Sequence, residues 1–259
     1  MKKLLLSLLL VYISKNASAD EAQFGLTSGL DYSTGKYGFS EATRIKYIPF
    51  IGKVEYGRWL AKITVPWLEI SGPGTVTGGD NQVIVTDNLR QQSTESGLGD
   101  IVSSITYTAY QSPEQKLTLD VGAKVKFATA SVQKGLGTGS NDYAVQLDAY
   151  KTLNNLDKLT LLGTIGYKTF GKPELSAHTL DDTWFATLGA AYKINAANSA
   201  GLLVDLRQAA WAKNSEIREY TAYYSHRFNP NYNLQTYFTT GDTRSSVDFG
   251  AGMMLGVSW

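Results

Sequence analysis

Two glycine clusters and two histidines are the places where this chain could do chemistry. Gly97-Leu98-Gly99-Asp100 and Gly135-Leu136-Gly137-Thr138-Gly139 have the small-residue density of a phosphate cradle. A cradle also needs a helix N-terminus to receive the anion, or the Gly-Lys-Ser/Thr that closes a P-loop, and neither follows here. The first cluster therefore reads as a tight entry into a strand, and the second as a flexible external loop tip. His178, with Asp181 and Asp182 nearby, makes only a sparse cation set in a loop. His226, beside Arg227 near the end of a strand, reads as an interface residue. There is no Cys, which removes thiolate metal sites, redox motifs and disulfides from consideration. No catalytic residue, metal site or cofactor is expected.

The charges carry more. In several segments they alternate with apolar residues. Lys116, Thr118, Asp120, Gly122, Lys124 and Lys126 interleave with Leu117, Leu119, Val121, Ala123, Val125 and Phe127. Asp142, Gln146, Asp148 and Tyr150 interleave with Tyr143, Val145, Leu147 and Ala149. A period of two is that of a β-strand with one apolar face, and a one-residue slip would exchange the faces. Extending the alternation along the chain puts Arg44, Lys46, Lys62, Lys124, Lys126, Lys168, Lys193, Arg207 and Arg227 on the polar face. With them go Asp31, Asp100, Asp120, Asp148, Asp205, Glu219 and Asp248.

The elements that must position these residues are twelve strand-length segments. They are 23–34, 41–53, 58–71, 98–111, 116–130, 141–153, 158–171, 183–194, 199–213, 216–228, 232–242 and 247–259. Short Asn/Asp/Pro/Gly turns, such as 112–115, 154–157, 195–198 and 229–231, alternate with connections that are longer on average: 35–40, 72–97, 131–140, 172–182, 214–215 and 243–246. The last strand carries Phe249, Ala251, Met253, Leu255, Val257 and Trp259 on one face and ends on the indole. An apolar face ending in an aromatic suits lipid with a headgroup boundary. Lys2-Lys3, the apolar run Leu4–Ile13 and Ala17-Ser18-Ala19 make residues 1–19 a secretory signal peptide, leaving 20–259 as a single domain. Its removal leaves 21 cations against 23 carboxylates, a net charge of −2 that suggests no nucleic-acid partner. The fold expected is an all-β, antiparallel up-and-down transmembrane β-barrel of about twelve strands in the cell outer membrane of a Gram-negative organism. Both mature termini then face the periplasm.

Several segments carry a family resemblance. They are Gly52-Lys53-Val54-Glu55-Tyr56-Gly57-Arg58-Trp59 leading into Thr64-Val65-Pro66-Trp67-Leu68, then Ser96-Gly97-Leu98-Gly99-Asp100-Ile101, then Gly135–Tyr143. In this order, over nearly the whole mature chain, they resemble a family of outer-membrane transporters linked to the meta-cleavage pathway of phenol degradation. The resemblance implies a monomeric or weakly oligomeric barrel that passes small compounds, and its label suggests aromatic ones.

The residues themselves point to a porin-like channel for passive uptake of small solutes through a narrow, mixed-charge lumen. The candidate pore-lining set is Arg44, Lys46, Lys62, Asp120, Lys124, Lys126, Asp148, Lys168, Asp205, Arg207, Glu219 and Arg227, because rings of charged side chains set the selectivity of a pore. The partners expected are outer-membrane lipids, a small-molecule solute and, during biogenesis, the barrel-assembly machinery. Loop 72–97 is the segment long enough to fold inward as a flap. A structural or adhesion barrel is the alternative, and a barrel enzyme acting on lipid a more distant one.

Overall fold

A computed structural model describes residues 21–37, 40–73, 75–77, 82–84, 94–172, 180–211 and 214–259. The signal peptide, most of loop 72–97 and His178 lie outside the described residues. The chain opens with β1 (Gln23–Gly35), β2 (Thr43–Tyr56) and β3 (Trp59–Ser71). Three short strands follow: β4 (Thr75–Thr77), β5 (Gln82–Ile84) and β6 (Thr94–Leu98). The second part comprises β7 (Ile101–Ser112), β8 (Leu117–Phe127), β9 (Asp142–Leu153), β10 (Leu156–Thr169) and β11 (Thr183–Lys193). It is completed by β12 (Asn198–Arg207), β13 (Ile217–Arg227), β14 (Tyr232–Gly241) and β15 (Phe249–Ser258).

Each long strand pairs antiparallel with its neighbours in sequence, and β15 returns to β1, so the twelve long strands close into a barrel. Phe24 and Trp259 exchange backbone hydrogen bonds of 2.9 and 3.0 Å at the seam, and their rings stack. β6 pairs with the second half of β3 and continues the line of β7 across a break at Gly99-Asp100. The single strand expected over 98–111 is thus two. The strand expected to reach 213 stops at Arg207, because the Gln208 side chain accepts the Trp184 amide that a strand carbonyl would otherwise take. The strand expected to reach 130 stops at Phe127, where the Ala128–Ala130 amides turn onto Asn141 and Asp100.

Burial is inside-out relative to a water-soluble protein. Leu26, Leu30, Phe50, Ile63, Val145, Ile165, Leu188, Leu202, Phe238 and Leu255 are exposed, while Asp31, Asp148, Thr187, Asp205, Thr221, Ser225, Gln235 and Thr239 are buried. Alternation within each strand puts the first set outside and the second inside. Aromatics ring both ends of the apolar band. Phe24, Tyr56, Trp59, Tyr192, Tyr232 and Trp259 lie toward the short turns, and Phe127, Tyr143, Trp184 and Phe249 toward the long loops. An apolar belt between aromatic girdles is the surface of a barrel that spans a membrane.

The interior is kept from filling by a pairing rule. Eight inward glycines each stand directly across from a large inward residue: Gly25–Lys53, Gly29–Met254, Gly122–Gln146, Gly166–Phe185, Gly189–Leu203, Gly201–Tyr223, Gly252–Tyr237 and Gly256–Asn233. At seven of them a Cβ would come within 2.7 Å of the facing side chain, and at Gly122 within 3.2 Å of Gln146, so the side chain lies along the wall over the glycine.

Leu188, at the middle of β11 and 61% exposed, is the cleanest probe of the lipid face. Leu188→Arg is expected to cost about 2–4 kcal/mol in liposome-embedded barrel, read from urea unfolding by tryptophan fluorescence. Thr160→Arg, which points into the interior near the short turns, is expected to cost much less. Equal costs at both positions would show that the outer face does not meet lipid.

Candidate functional site

The site is the barrel interior, and register determines its electrostatics. One cross-strand row runs Thr108, Asp120, Asp148, Thr164, Thr187, Asp205, Glu219 over β7 to β13. It holds four carboxylates as two adjacent pairs, Asp120–Asp148 and Asp205–Glu219, with Thr164 and Thr187 between them. The Thr164 and Thr187 hydroxyls donate to Asp148 and Asp205 at 2.6 Å each, and Gln146 Nε2 donates to Asp148 at 2.6 Å. A second row runs Gly25, Lys53, Lys62, Ser104, Lys124, Ala144, Lys168, Thr183 over β1 to β3 and β7 to β11, with four lysines and no carboxylate. On β8 the two rows are four residues apart, about 13 Å at the usual strand rise. Strands tilt in a barrel, so both rows climb as spirals. Each row sets like charges side by side, and neighbours off the row balance them: Arg207 pairs with Glu219 at 2.7 Å, Glu55 with Lys53 at 3.1 Å and Asp142 with Lys168 at 3.4 Å.

Ten of the twelve candidate residues lie on this inner face: Lys62, Asp120, Lys124, Lys126, Asp148, Lys168, Asp205, Arg207, Glu219 and Arg227. Arg44 and Lys46 do not, and the expectation for them is corrected. Both are exposed on the outer face near the long-loop end, where Lys46 pairs with Glu69 at 2.7 Å. The inner face of β2 is formed by Ile45, Tyr47 and Ile51, because Tyr47 stands opposite the inward Asp31. Charges at this height face the headgroup zone instead of the hydrocarbon.

At the long-loop end a loop enters the interior. Residues 128–141, between β8 and β9, fold into the barrel mouth, burying Gly135, Leu136, Gly137 and Thr138. The Gly-x-Gly-x-Gly cluster is therefore no external tip. Gly135 (φ 66°) and Gly139 (φ 75°) take left-handed backbone values, and a Cβ on Gly137 would lie 2.8 and 2.9 Å from the Asp100 carboxylate oxygens. Asp100 accepts the Thr129 and Ala130 amides at 3.0 and 2.8 Å. Lys126 reaches Asp100 and Asp142 at 3.1 Å each and the Thr138 hydroxyl at 2.9 Å, while Lys168 reaches Asp142 at 3.4 Å. The two lysines and two aspartates are all buried. Removing one member of such a buried set leaves an uncompensated charge and typically costs about 3–5 kcal/mol, so the loop is firmly latched.

Above the latch sits an apolar plug. Leu136 and Val247, from two different loops, and Tyr37 pack on Ile45, Tyr47, Leu68 and Ile70. Glu219 holds the Val247 amide at 3.1 Å, and the Ser215 and Ser245 hydroxyls join two loops at 3.2 Å. A Cβ at Gly97 would meet Leu136 at 3.1 Å, and one at Gly99 would meet Leu68 at 2.7 Å. Both glycine clusters thus serve as seats for the plug, and three of the segments that carry the family resemblance converge on it. Alternation alone could not show this, because the latch joins residues on three strands, the break between β6 and β7, and a loop. On the outer rim, the Arg218 guanidinium donates to Asp242 at 2.8 Å and holds that carboxyl below its usual range, helped by the Tyr220 hydroxyl.

Toward the short turns the interior opens into a cavity of about 330 Å³ between β9 and β13. Its wall continues upward into an apolar patch in which Leu162 and Ala191 pack on Leu203, Tyr223, Tyr237 and Met254. Tyr237 is anchored by donating its hydroxyl to Asp31, a partnership with no local signal in the sequence. His226 lies at the rim, in contact with Asn198 Oδ1 at 2.7 Å and edge-on to Phe228. No metal-binding cluster occurs among the described residues.

The fold has counterparts among solved structures. An outer membrane channel from Pseudomonas putida F1 aligns with a TM-score of 0.72 at 13% identity, over 94% of this chain and 97% of that one. The NanC porin aligns at 0.58 and 10% identity, over 90% and 98%. The translocator domain of the autotransporter NalP from Neisseria meningitidis aligns at 0.53 and 10%, over 100% and 94%. At these identities the likeness is one of fold, and the same barrel serves different tasks. No curated protein sequence matches the chain. The family model described as "Putative MetA-pathway of phenol degradation" matches residues 19–259, so the chain belongs to that family.

Proposed function

We propose that the protein is an outer-membrane channel for small solutes, with residues 1–19 removed as a signal peptide and the short turns and both termini in the periplasm. The observation that carries this reading is the set of eight glycine seats. An interior built only to be filled would gain packing from side chains that cross the axis. Here eight inward side chains, Phe185, Tyr223 and Tyr237 among them, lie along the wall, and the polar rows that remain suit water. Eight strands leave room only for side chains and sixteen leave an aqueous channel, so twelve suit a narrow pore.

The conformation described is closed on the long-loop side by the latched loop 128–141. Opening requires that loop to leave the mouth, which exposes Asp100, Lys126, Asp142 and Lys168 to the pathway. The pore-lining roles of the two charged spirals follow from the same reading. They place opposite signs at different heights along the wall, which favours small dipolar or singly charged solutes over bulky neutral ones.

Three outcomes are expected. Cys introduced at Gln133 should react with a membrane-impermeant maleimide on intact cells and Cys at Asn155 should not; reversed labelling would invert the orientation. In planar bilayers, Gly137→Val and a deletion of 131–140 should each raise conductance well above wild type, because both remove the loop from the mouth. No conductance from any of the three folded barrels would overturn the channel reading. In the open variant, Lys62→Glu with Lys124→Glu should move the reversal potential toward cations, and the shift should shrink at 1 M salt, where screening falls to about 3 Å.

A further inference from the structure

We infer that the cavity at the short-turn end is a binding site for a small hydrophobic monocarboxylate, one ring or short chain in size. The inference rests on the channel reading and names a solute class for it. The volume of about 330 Å³ lies at the small end of ligand pockets. Its lining is divided by chemistry. Lys158, Lys193 and Arg227 stand at the mouth, and Tyr150 and Leu162 form part of the inner wall.

None of the three cations forms an ion pair among the described residues. Asp157 also lines the cavity, and its carboxylate is engaged by Lys116 at 2.5 Å. The Arg227 Nε is buried and donates to nothing among the described residues. Three cations against one carboxylate that Lys116 already holds raise the local potential and concentrate anions. A carboxylate offers Arg227 and Lys193 charge-assisted hydrogen bonds and relieves their mutual repulsion.

The interior beyond the cavity sets the orientation. Two residues further along β10 from Leu162 lies Thr164, in the acidic row with Asp148 and Asp205. A carboxylate cannot approach that row without like-charge repulsion. The anionic end therefore stays with the mouth cations, and the apolar end lies on Leu162 and Ala191 against the wall of Leu203 and Tyr223. A dianion would meet the acidic row with its second charge, and a neutral amide would leave the cations unpaired.

The test uses the full mature barrel, purified in detergent and shown to be folded by heat-modifiable migration. Binding of benzoate, benzamide and acetate is measured by isothermal titration calorimetry, with Arg227→Gln, Lys193→Gln and Leu162→Asn alongside wild type. Benzoate is expected to bind about tenfold or more tightly than either benzamide or acetate, since each lacks one of the two recognised features. Both charge variants should weaken benzoate several-fold and leave benzamide unchanged, and raised salt should narrow their difference from wild type. Leu162→Asn should weaken benzoate and leave acetate unchanged. Equal affinity for benzoate and benzamide, equal affinity for benzoate and acetate, or no benzoate binding to the folded wild-type barrel would each overturn the proposal. Because the measurement needs no open pore, a barrel that conducts without binding benzoate refutes this site alone. One that binds benzoate in every closed and opened form without conducting refutes the channel reading and leaves the site.

Discussion

Lipid offers no hydrogen-bond partner to a backbone amide, and the rest of this structure depends on that. Every strand must give its N–H and C=O groups to neighbours, and no edge can be left open. The seam between Phe24 and Trp259 meets that requirement, since it joins the last strand to the first. Once the sheet is closed, period-two alternation divides each strand between lipid and lumen. Polar side chains are then forced inward, where an unpaired charge is costly. The threonine bridges, the Arg207–Glu219 pair and the buried latch are the ways this interior lowers that cost.

The glycine seats and the charged rows are two consequences of one register. Antiparallel pairing sets each inward residue directly across from another. Gly252 accommodates Tyr237 and Gly201 accommodates Tyr223 only because the pairs are opposed. The same opposition brings Asp120 beside Asp148 and Lys53 beside Lys62. Juxtaposed like charges are unfavourable in a dry interior. A wall that tolerates them in two rows is suited to water and to a passing ion.

The latch holds a loop of the chain in the barrel mouth. Asp100 sits at the break between β6 and β7, so its carboxylate is free of strand pairing and can cap the incoming backbone at Thr129 and Ala130. Lys126 balances it, Lys168 pairs with the neighbouring Asp142, and glycine at 137 permits the close approach. The loop is held by charge and shape together, with the apolar contacts of Leu136 above.

Alternation, turn chemistry and the apolar C-terminal strand were enough to read twelve strands, their approximate limits and the inward face of β8 and β9, because a period of two is a local property. They were not enough for β2, which has large apolar residues on both faces: Ile45, Tyr47 and Ile51 on one, Ile48, Phe50 and Val54 on the other. There the pairing of Tyr47 with Asp31 decided, and it put Arg44 and Lys46 outside. The glycine clusters were legible as motifs but not as seats, since their partners Leu68, Asp100 and Leu136 come from distant parts of the chain. The sequence by itself determined that the chain alternates and what each strand would turn to lipid. Only the tertiary structure decided which charges share a row, which loop enters the mouth and where a cavity remains. Those depend on the stagger between strands, and the stagger is set by all twelve pairings at once.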